Sequence, residues 1–76
     1  MIFYCDNRRH LVCVPYSIFN LHRMAMQLGI GWHFFHKDHY DIPQRRIAEI
    51  MAKCQVVSTR EIIYIIKNGN EQKTNS

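Results

Sequence analysis

Short runs of hydrophobic residues, separated by polar ones, predict the first elements of this chain. The apolar stretch IFYC at residues 2–5 is typical of a buried strand, and the DNRR that follows favours a turn. Residues 10–16, HLVCVPY, predict a second strand that ends at Pro15, because proline cannot donate to the hydrogen-bond ladder of a sheet. The two strands are close enough in sequence to form a hairpin.

The next segment has the period of an amphipathic helix. Ser17 is a suitable N-cap residue, and Gly29 is suited to the left-handed conformation that ends many helices. Residues 30–36 are rich in aromatic side chains and predict a third strand. The apolar residues of the helix fall on one face: Ile18, Leu21, Met24, Ala25 and Leu28.

Asp41 marks the predicted start of a second helix. Gln44 follows it at the spacing of a capping box, and Pro43 is well suited to a first helical turn. The apolar positions that come next predict a helix that continues to about Lys53. On this interpretation Asp41 has a structural role as a helix cap.

The last part of the chain predicts a strand, a helix and a tail. Residues 55–57 favour a brief fourth strand, and Ser58 with Glu61 forms an S-x-x-E capping box for a third helix that ends at Gly69. The polar residues 70–76 are expected to be a disordered tail. The inward positions of the third helix are expected to be Ile62, Ile63, Ile65 and Ile66.

These elements, in the order β-β-α-β-α-β-α, predict a single small α/β domain over residues 1–69. Strands separated by helices favour parallel pairing through right-handed crossovers. We therefore expect a short, mostly parallel sheet with the hairpin at one edge and helices packed on it. Ligands of open α/β sheets bind beyond the carboxyl ends of the strands. Asp6, the 36–41 loop and Ser58-Thr59 each follow a predicted strand and are expected to share one rim.

The composition narrows the class of protein. The chain has 76 residues, 47% of them hydrophobic, which indicates one small globular domain. No apolar run reaches the roughly 18 residues of a membrane span, and no signal-peptide pattern is present, so a cytoplasmic location is predicted. The three cysteines lack paired spacing, which favours reduced thiols. The net charge of +4 favours an anionic partner.

The densest group of candidate functional residues is WHFFHKDHYD, residues 32–41. A strand would point His33 and His36 to opposite faces, so three histidines are not expected to bind one metal ion together. A second arrangement contains the nitrogen and carboxylate ligands that suit zinc, manganese or iron. It leaves open a metal-dependent hydrolase or nuclease, although no metal, cofactor or catalytic residue is assigned. Its members are Asp6, His36, His39 and Asp41.

Arginines close to aromatic residues favour anion binding instead. Arg45 and Arg46 lie in the first turn of the predicted second helix, where cations oppose the helix dipole unless an anion is bound. Arginine side chains bind phosphate and carboxylate well. Arg8, in the DNRR turn after the first predicted strand, is expected to join Arg45 and Arg46. Trp32 or Tyr40 would stack on a nucleotide base.

The motifs YCDNRRH, WHFFH and HYDIPQRR together resemble a family of short bacterial and phage proteins, the domain-of-unknown-function family numbered four thousand and thirty-one. The similarity covers residues 2–66, and the His-Tyr-Asp sequence with the arginine that follows it is its most specific part. The loop before His-Tyr-Asp is shorter here than in many members. The resemblance implies an architecture, a candidate site and a phage context, but no reaction. The matching positions are Asp6, Trp32, Phe35, His39, Tyr40, Asp41 and Arg46.

The leading hypothesis is a small, non-enzymatic cytoplasmic protein that binds an anionic, nucleotide-like ligand. If the chain is phage-encoded, it is expected to act in the host cytoplasm by sequestering a host signal. The alternatives are the metal-dependent hydrolase or nuclease and an inhibitor that binds a host protein. A shallow site on so small a sheet favours a homo-oligomer, and no motif for sequence-specific DNA binding is present. The predicted ligand-binding residues are Asp6, Arg8, Trp32, His36, His39, Tyr40, Asp41, Arg45 and Arg46.

Overall fold

The structure is a computed structural model that describes residues 1–75, and the side chains of residues 1–69. Short 3-10 turns cover Trp32–Phe34 and Gln44–Arg46. The predicted tail, residues 70–76, lies outside the residues whose side chains are described. The strands and helices are β1 Ile2–Cys5, β2 His10–Val14, α1 Ile18–Leu28, β3 Phe35–His36, β4 His39–Asp41, α2 Ile47–Met51, β5 Gln55–Val56 and α3 Thr59–Asn75.

The five strands form one sheet in the order β3-β4-β2-β1-β5, so the fold is α/β with a mixed sheet. The prediction of a mostly parallel sheet is wrong: β1 and β2, β2 and β4, and β3 and β4 pair antiparallel, and only β1 and β5 pair in parallel. The reason is a second hairpin, β3-β4, which returns the chain beside β2 without a crossover. Parallel pairing needs a crossover connection, which the chain makes between β1 and β5.

The predicted first hairpin and first helix are confirmed. β1 and β2 pair from Ile2 opposite Val14 to the end of β1. The turn between them closes with Arg9 at a φ of 70°, a left-handed conformation. The Ser17 hydroxyl accepts a hydrogen bond of 2.9 Å from the N–H of Asn20, which caps α1. Gly29, also at a φ of 70°, ends that helix, as predicted from the ease with which glycine adopts the left-handed conformation.

The segment from residue 30 to residue 53 differs from its prediction. Most of the expected third strand is a 3-10 turn, and only Phe35–His36 remain extended. The His-Tyr-Asp motif is strand β4 rather than the start of a helix, so Asp41 is not a helix cap. Lys37 adopts a left-handed φ of 61° in the tight turn between β3 and β4. That turn reverses the chain where the sequence pattern predicted a loop leading into a helix.

The helices α1 and α3 cover opposite faces of the sheet. His10 faces α3, because it lines a cavity together with Thr59. The hydroxyl of Tyr40 lies 2.6 Å from Nδ1 of His22, on α1. His10 pairs with Asp41, and neighbouring strand residues point to opposite faces, so Tyr40 lies on the far side from His10. The buried core is therefore split between the two faces of the sheet.

The helix α3 begins as predicted and continues further than predicted. The N–H of Glu61 donates to the Ser58 hydroxyl over 3.2 Å, which confirms this residue as a cap. The helix runs past Gly69 to Asn75. Ile62 is buried, but Ile63 is 57% exposed, in contrast to the predicted inward position. No helix in the described part of the chain is both long enough and apolar enough to cross a membrane.

Candidate functional site

A cavity of about 380 Å³ lies between α3 and the ends of β2 and β4. One wall is apolar and belongs to α3. The opposite side carries two imidazoles and a carboxylate, and α3 adds a hydroxyl and an ammonium group to the rim. Ligand sites typically combine an apolar lining with a few convergent polar groups. The lining residues are His10, Asp38, His39, Thr59, Ile62, Ile63, Ile66 and Lys67.

Asp6 lies behind this cavity and is almost completely buried, with 1% of its surface exposed. Its Oδ1 accepts hydrogen bonds from the backbone N–H groups of Arg8 and His10, over 2.9 and 3.0 Å. Its Oδ2 accepts from the Thr59 hydroxyl over 2.7 Å and lies 2.7 Å from Nδ1 of His10. Four donors therefore surround one carboxylate.

These donors explain the protonation state of Asp6. Burial disfavours the charged carboxylate, but hydrogen bonds from the side chains of Thr59 and His10 and from two backbone N–H groups outweigh it. The pKa of Asp6 is consequently lowered from its ordinary value. The position also depends on the fold, because the N–H of Val57 donates to the carbonyl of Cys5 over 2.7 Å. This contact brings the start of α3, and with it Thr59, next to Asp6.

The contact with Asp6 also fixes the tautomer of His10. An ionised carboxylate can only accept hydrogen bonds, so the proton of a neutral His10 ring belongs on Nδ1. Nε2 is then the unprotonated nitrogen, and no hydrogen bond between described residues uses it. The His10 side chain is 30% exposed and lines the cavity. Its Nε2 is therefore the atom that is free to interact with a ligand.

His39 is the second imidazole of the cavity. Its Nδ1 lies 2.8 Å from the Oδ1 of Asp38, and its Nε2 lies 3.3 Å from the Oδ1 of Asp41. The ring meets that of His10 edge to face, with centroids 5.0 Å apart. His36 stacks on its other side with centroids 5.8 Å apart. Cross-strand pairing of β3 with β4 and of β4 with β2 brings these rings to one face of the sheet.

Tyr16 supports the loop that carries Asp38. Its hydroxyl donates a hydrogen bond of 2.8 Å to the Asp38 carbonyl. Burial, reinforced by the Asp38 carboxylate, raises the pKa of Tyr16 to about 12, so the hydroxyl keeps its proton at neutral pH. Gly69 of α3 leaves room for this ring, since a Cβ there would lie 2.9 Å from the Tyr16 Cβ. Contact between α3 and Tyr16 thus helps to position the loop before His39.

The predicted arginines lie away from the cavity. Arg46 donates hydrogen bonds to the carbonyls of Leu28 and Gly29, over 2.6 and 2.7 Å, and pairs with Glu49. These contacts satisfy carbonyl groups at the C-terminal end of α1, which is a structural role. Arg8 and Arg45 are exposed, and no arginine is among the described residues that line the cavity. The structure therefore does not bring the three arginines together.

The predicted stacking residues are also separated. Trp32 is 80% exposed in its 3-10 turn. Tyr40 is 1% exposed, contacts Phe35 and His22, and lies on the face opposite His10. Its ring is therefore covered and cannot stack on a ligand in this conformation. Of the predicted residues that the structure describes, only His39 lines the cavity, and Asp6, His36 and Asp41 lie next to His10 or His39.

Those four residues do not form a metal site. Among the described residues, no group of three or more His, Cys, Asp or Glu side chains is arranged so that it could hold a metal ion. Asp6 already accepts four hydrogen bonds, and His36 stacks on His39 rather than converging with it on one point. The geometry therefore favours imidazole chemistry over coordination by this set.

Sequence reasoning missed His10 and Lys67. The pairing of Asp6 with His10 had a signal in the sequence, because the two residues flank the turn of a predicted hairpin. Thr59 was expected, with Ser58, at the rim beyond the fourth predicted strand, and it lies there beside Asp6. The place of Lys67 depends on how α3 packs on the sheet, which no local pattern reveals. Its ammonium adds the cation that the arginines were expected to supply.

Comparison with known proteins agrees with the resemblance seen in the sequence motifs. No curated protein and no solved structure matched the chain. Residues 7–69 match a family model, and this range includes His10, the β3-β4 hairpin and the beginning of α3. The match covers most of the sequence, and the chain therefore belongs to the family described as Protein of unknown function (DUF4031).

Proposed function

We propose that the cavity beside His10 and His39 binds an anionic, nucleotide-like ligand. The observation that carries this proposal is the division of the cavity into an apolar wall and a polar rim. Ile62, Ile63 and Ile66 form the wall. An apolar surface of this kind accommodates a flat heterocyclic ring, while the polar rim interacts with a charged group.

The rim offers suitable groups for a phosphate. Lys67 supplies an ammonium point charge, which binds phosphate oxygens without demanding a fixed geometry. His10 presents Nε2, and a phosphate that carries a proton can donate to this atom. The volume of about 380 Å³ falls within the range of roughly 300–1,000 Å³ that small-molecule sites occupy. The net charge of +4 attracts anions to the surface in general.

Two of the predicted ligand-binding residues act indirectly in this proposal. Asp6 has no exposed oxygen to offer and instead orients His10. Asp41 lies beside Nε2 of His39 and restrains that ring. Direct contact with a ligand is assigned to His10, His39 and Lys67. The proposed set is thus smaller than the predicted one and contains no arginine.

Calorimetric titration of the purified protein tests the proposal. The probes are inorganic phosphate, a nucleoside monophosphate, the matching nucleoside and a cyclic dinucleotide. The monophosphate should bind more tightly than the nucleoside or phosphate alone, since only it uses both the wall and the rim. Lys67→Ala should weaken its binding, whereas Lys53→Ala, which removes an exposed lysine outside the cavity, should not. Equal effects of the two substitutions, or no binding of any probe, would reject the proposal.

A role in sequestering a host signal follows if the ligand is held tightly. Mass spectrometry of the denatured protein, purified from cells without added ligand, identifies a nucleotide that remains bound. If more of this nucleotide is recovered from the native protein than from Lys67→Ala, the result supports sequestration. Equal amounts from both proteins would argue against it.

Exposed aromatic residues favour a second candidate function, binding to a partner protein or to another copy of the chain. Trp32 is 80% exposed, and Phe19 on α1 is 69% exposed. Large exposed apolar residues are enriched at protein interfaces. Light scattering at increasing concentration measures self-association, and Trp32→Ala with Phe19→Ala should reduce it. A monomer at all concentrations would remove the homo-oligomer from consideration.

A further inference from the structure

We propose that the same cavity is catalytic and cleaves ribonucleotide phosphodiester bonds by internal transphosphorylation, with His10 as general base and His39 as general acid. This inference rests on the proposed function, because the substrate is an anionic ligand of that cavity. It goes further in assigning a reaction, whereas the sequence pattern favoured binding without turnover.

His10 has the features of a general base. Asp6 holds its Nδ1 over 2.7 Å, so the Nε2 of the neutral ring is the nitrogen without a proton, and His10 lines the cavity. A buried carboxylate behind an imidazole fixes the orientation of the ring and stabilises the imidazolium that forms when Nε2 accepts a proton. The second contact of Oδ2, from the Thr59 hydroxyl, prevents the carboxylate from turning away. Asp6 is thus a positioning residue, and His10 is the catalytic one.

His39 is placed to act as the acid. Asp38 holds its Nδ1 over 2.8 Å, whereas the separation of Nε2 from Asp41, 3.3 Å, is longer. The Nε2 proton is therefore the more weakly held of the two. The rings of His10 and His39 are 5.0 Å apart between centroids, so both can address oxygens of one phosphate group. Proton transfer requires each nitrogen to come within roughly 2.6–3.2 Å of the oxygen that it serves.

The nucleophile has to come from the substrate or from solvent. Thr59 carries the one hydroxyl among the described lining residues, and its proton is directed at Asp6. No cysteine or serine is among those residues. A ribonucleotide brings its own nucleophile, the 2′-hydroxyl, which lies next to the phosphorus and distinguishes RNA from DNA. An internal nucleophile needs no separate binding site, which suits a cavity of this size.

The reaction balances without a cofactor or a redox partner. Nε2 of His10 takes the proton of the 2′-hydroxyl as its oxygen forms a bond to phosphorus. The bond between phosphorus and the 5′-oxygen breaks, and that oxygen takes the Nε2 proton of His39. The products are a 2′,3′-cyclic phosphate and a free 5′-hydroxyl. Proton exchange with solvent restores the two rings, and the Lys67 ammonium stabilises the charge on the phosphoryl oxygens.

The test is incubation of the full chain with a fluorescently labelled RNA oligonucleotide and with DNA of the same sequence, in the presence of EDTA. Cleavage of RNA alone is expected, and mass spectrometry should find fragments that end in a cyclic phosphate. Fragments with linear ends formed without a cyclic intermediate, cleavage of the DNA, or a requirement for added divalent metal would each overturn the assignment.

Substitutions connect the activity to the two rings. His10→Asn keeps a side-chain N–H near the Nδ1 position for Asp6 but removes Nε2, and it should reduce the cleavage rate by roughly two to four orders of magnitude. His39→Asn should do the same. His33→Asn removes an exposed histidine outside the cavity and should leave the rate unchanged. Loss of activity in His10→Asn but not in His33→Asn, with both purified in the same way, excludes a contaminating nuclease. A rate that survives His10→Asn would contradict the proposal.

The positioning role of Asp6 and the binding step are measured separately. Asp6→Asn should lower kcat with little change in KM, because Asp6 touches His10 and not the substrate. Binding is measured with an RNA methylated at its 2′-oxygens, which has no nucleophile. Binding of this RNA without cleavage of the unmodified RNA would overturn catalysis and leave the proposed function standing. Absence of both binding and cleavage would overturn both.

Discussion

Replacement of Asp6 by asparagine is the most informative single change, because the shape of the side chain is kept while its charge is lost. Asp6 is 1% exposed and accepts hydrogen bonds from two backbone N–H groups, the Thr59 hydroxyl and Nδ1 of His10. Asn has one carbonyl oxygen. We expect that oxygen to face the two backbone donors, which cannot turn away, so that the amide NH₂ faces Thr59 and His10.

The magnitude follows from these contacts. A hydrogen bond to a charged acceptor contributes about 1.5–3 kcal/mol, and one between neutral groups about 0.5–1.5 kcal/mol. Two contacts lose their charge assistance and two are rebuilt with the reverse polarity, for which His10 must change tautomer and the Thr59 hydroxyl must rotate. We expect the free energy of unfolding to fall by about 3 kcal/mol. The melting temperature of a domain of this size should then fall by roughly 10–25 °C.

Urea denaturation as a function of pH is the assay. The folded pKa of Asp6 lies below its ordinary value of 3.8, so its stabilising effect is complete above that pH and is lost as the pH falls through the folded pKa. The difference in stability between the native protein and Asp6→Asn should therefore be full at neutral pH and should shrink below about pH 4. The change of tautomer also places the His10 proton on Nε2, which removes the proposed base.

Asp41→Asn is the matched control. Its side chain is 40% exposed and lies 3.3 Å from His39, so its removal should change stability by less than about 1 kcal/mol. An Asp6→Asn protein as stable as the native one at neutral pH would contradict the stabilising role assigned to the Asp6 carboxylate. So would a stability difference between the two that does not change between pH 7 and strongly acidic solution, because the role assigned to Asp6 depends on its charge.

Three further changes test other parts of the structure. Gly69→Ala should lower stability in a melting experiment although alanine favours helix, because its Cβ would crowd Tyr16; an increase would show that the ring can move. Arg46→Ala should lower the melting temperature more than Arg45→Ala, since only the former binds carbonyls at the end of α1, and equal effects would contradict this. The pKa of Cys54 is raised to about 12 by burial, so its alkylation near neutral pH, followed by mass spectrometry, should be much slower than after unfolding.

Part of the candidate site could be predicted because it depends on local order. Asp6 and His39 were recognised as polar residues at the ends of predicted strands, and both border the cavity region. Arg46 was assigned to ligand binding because a cation in a first helical turn opposes the helix dipole, and a bound anion would offset this effect. The structure gives that cation other acceptors, the backbone carbonyls of α1, some 17 positions away in sequence. A contact between residues so far apart in sequence cannot be predicted from the local pattern of residues.

Local signals fixed the elements whose ends are capped or turned by their own residues. Ser17 and Ser58 begin their helices, Gly29 ends α1, and the first hairpin forms around its turn, since each of these depends on neighbours along the chain. The sequence also identified the family through its motifs. The helical interpretation of Asp41 was wrong because a strand of three residues is too short to show a period.

Tertiary structure decided the rest. Pairing with β2 made His-Tyr-Asp a strand, turned the sheet mostly antiparallel and buried Tyr40 on the face away from His10. The same pairing brought His39 beside His10, and the packing of α3 placed Thr59 and Lys67 opposite them. Sequence alone thus determined which segments begin and end as helices and hairpins. The site could not be predicted in this way, because its lining groups come from β2, β4, α3 and the turn between β3 and β4. The contacts among these elements depend on strand pairing and helix packing.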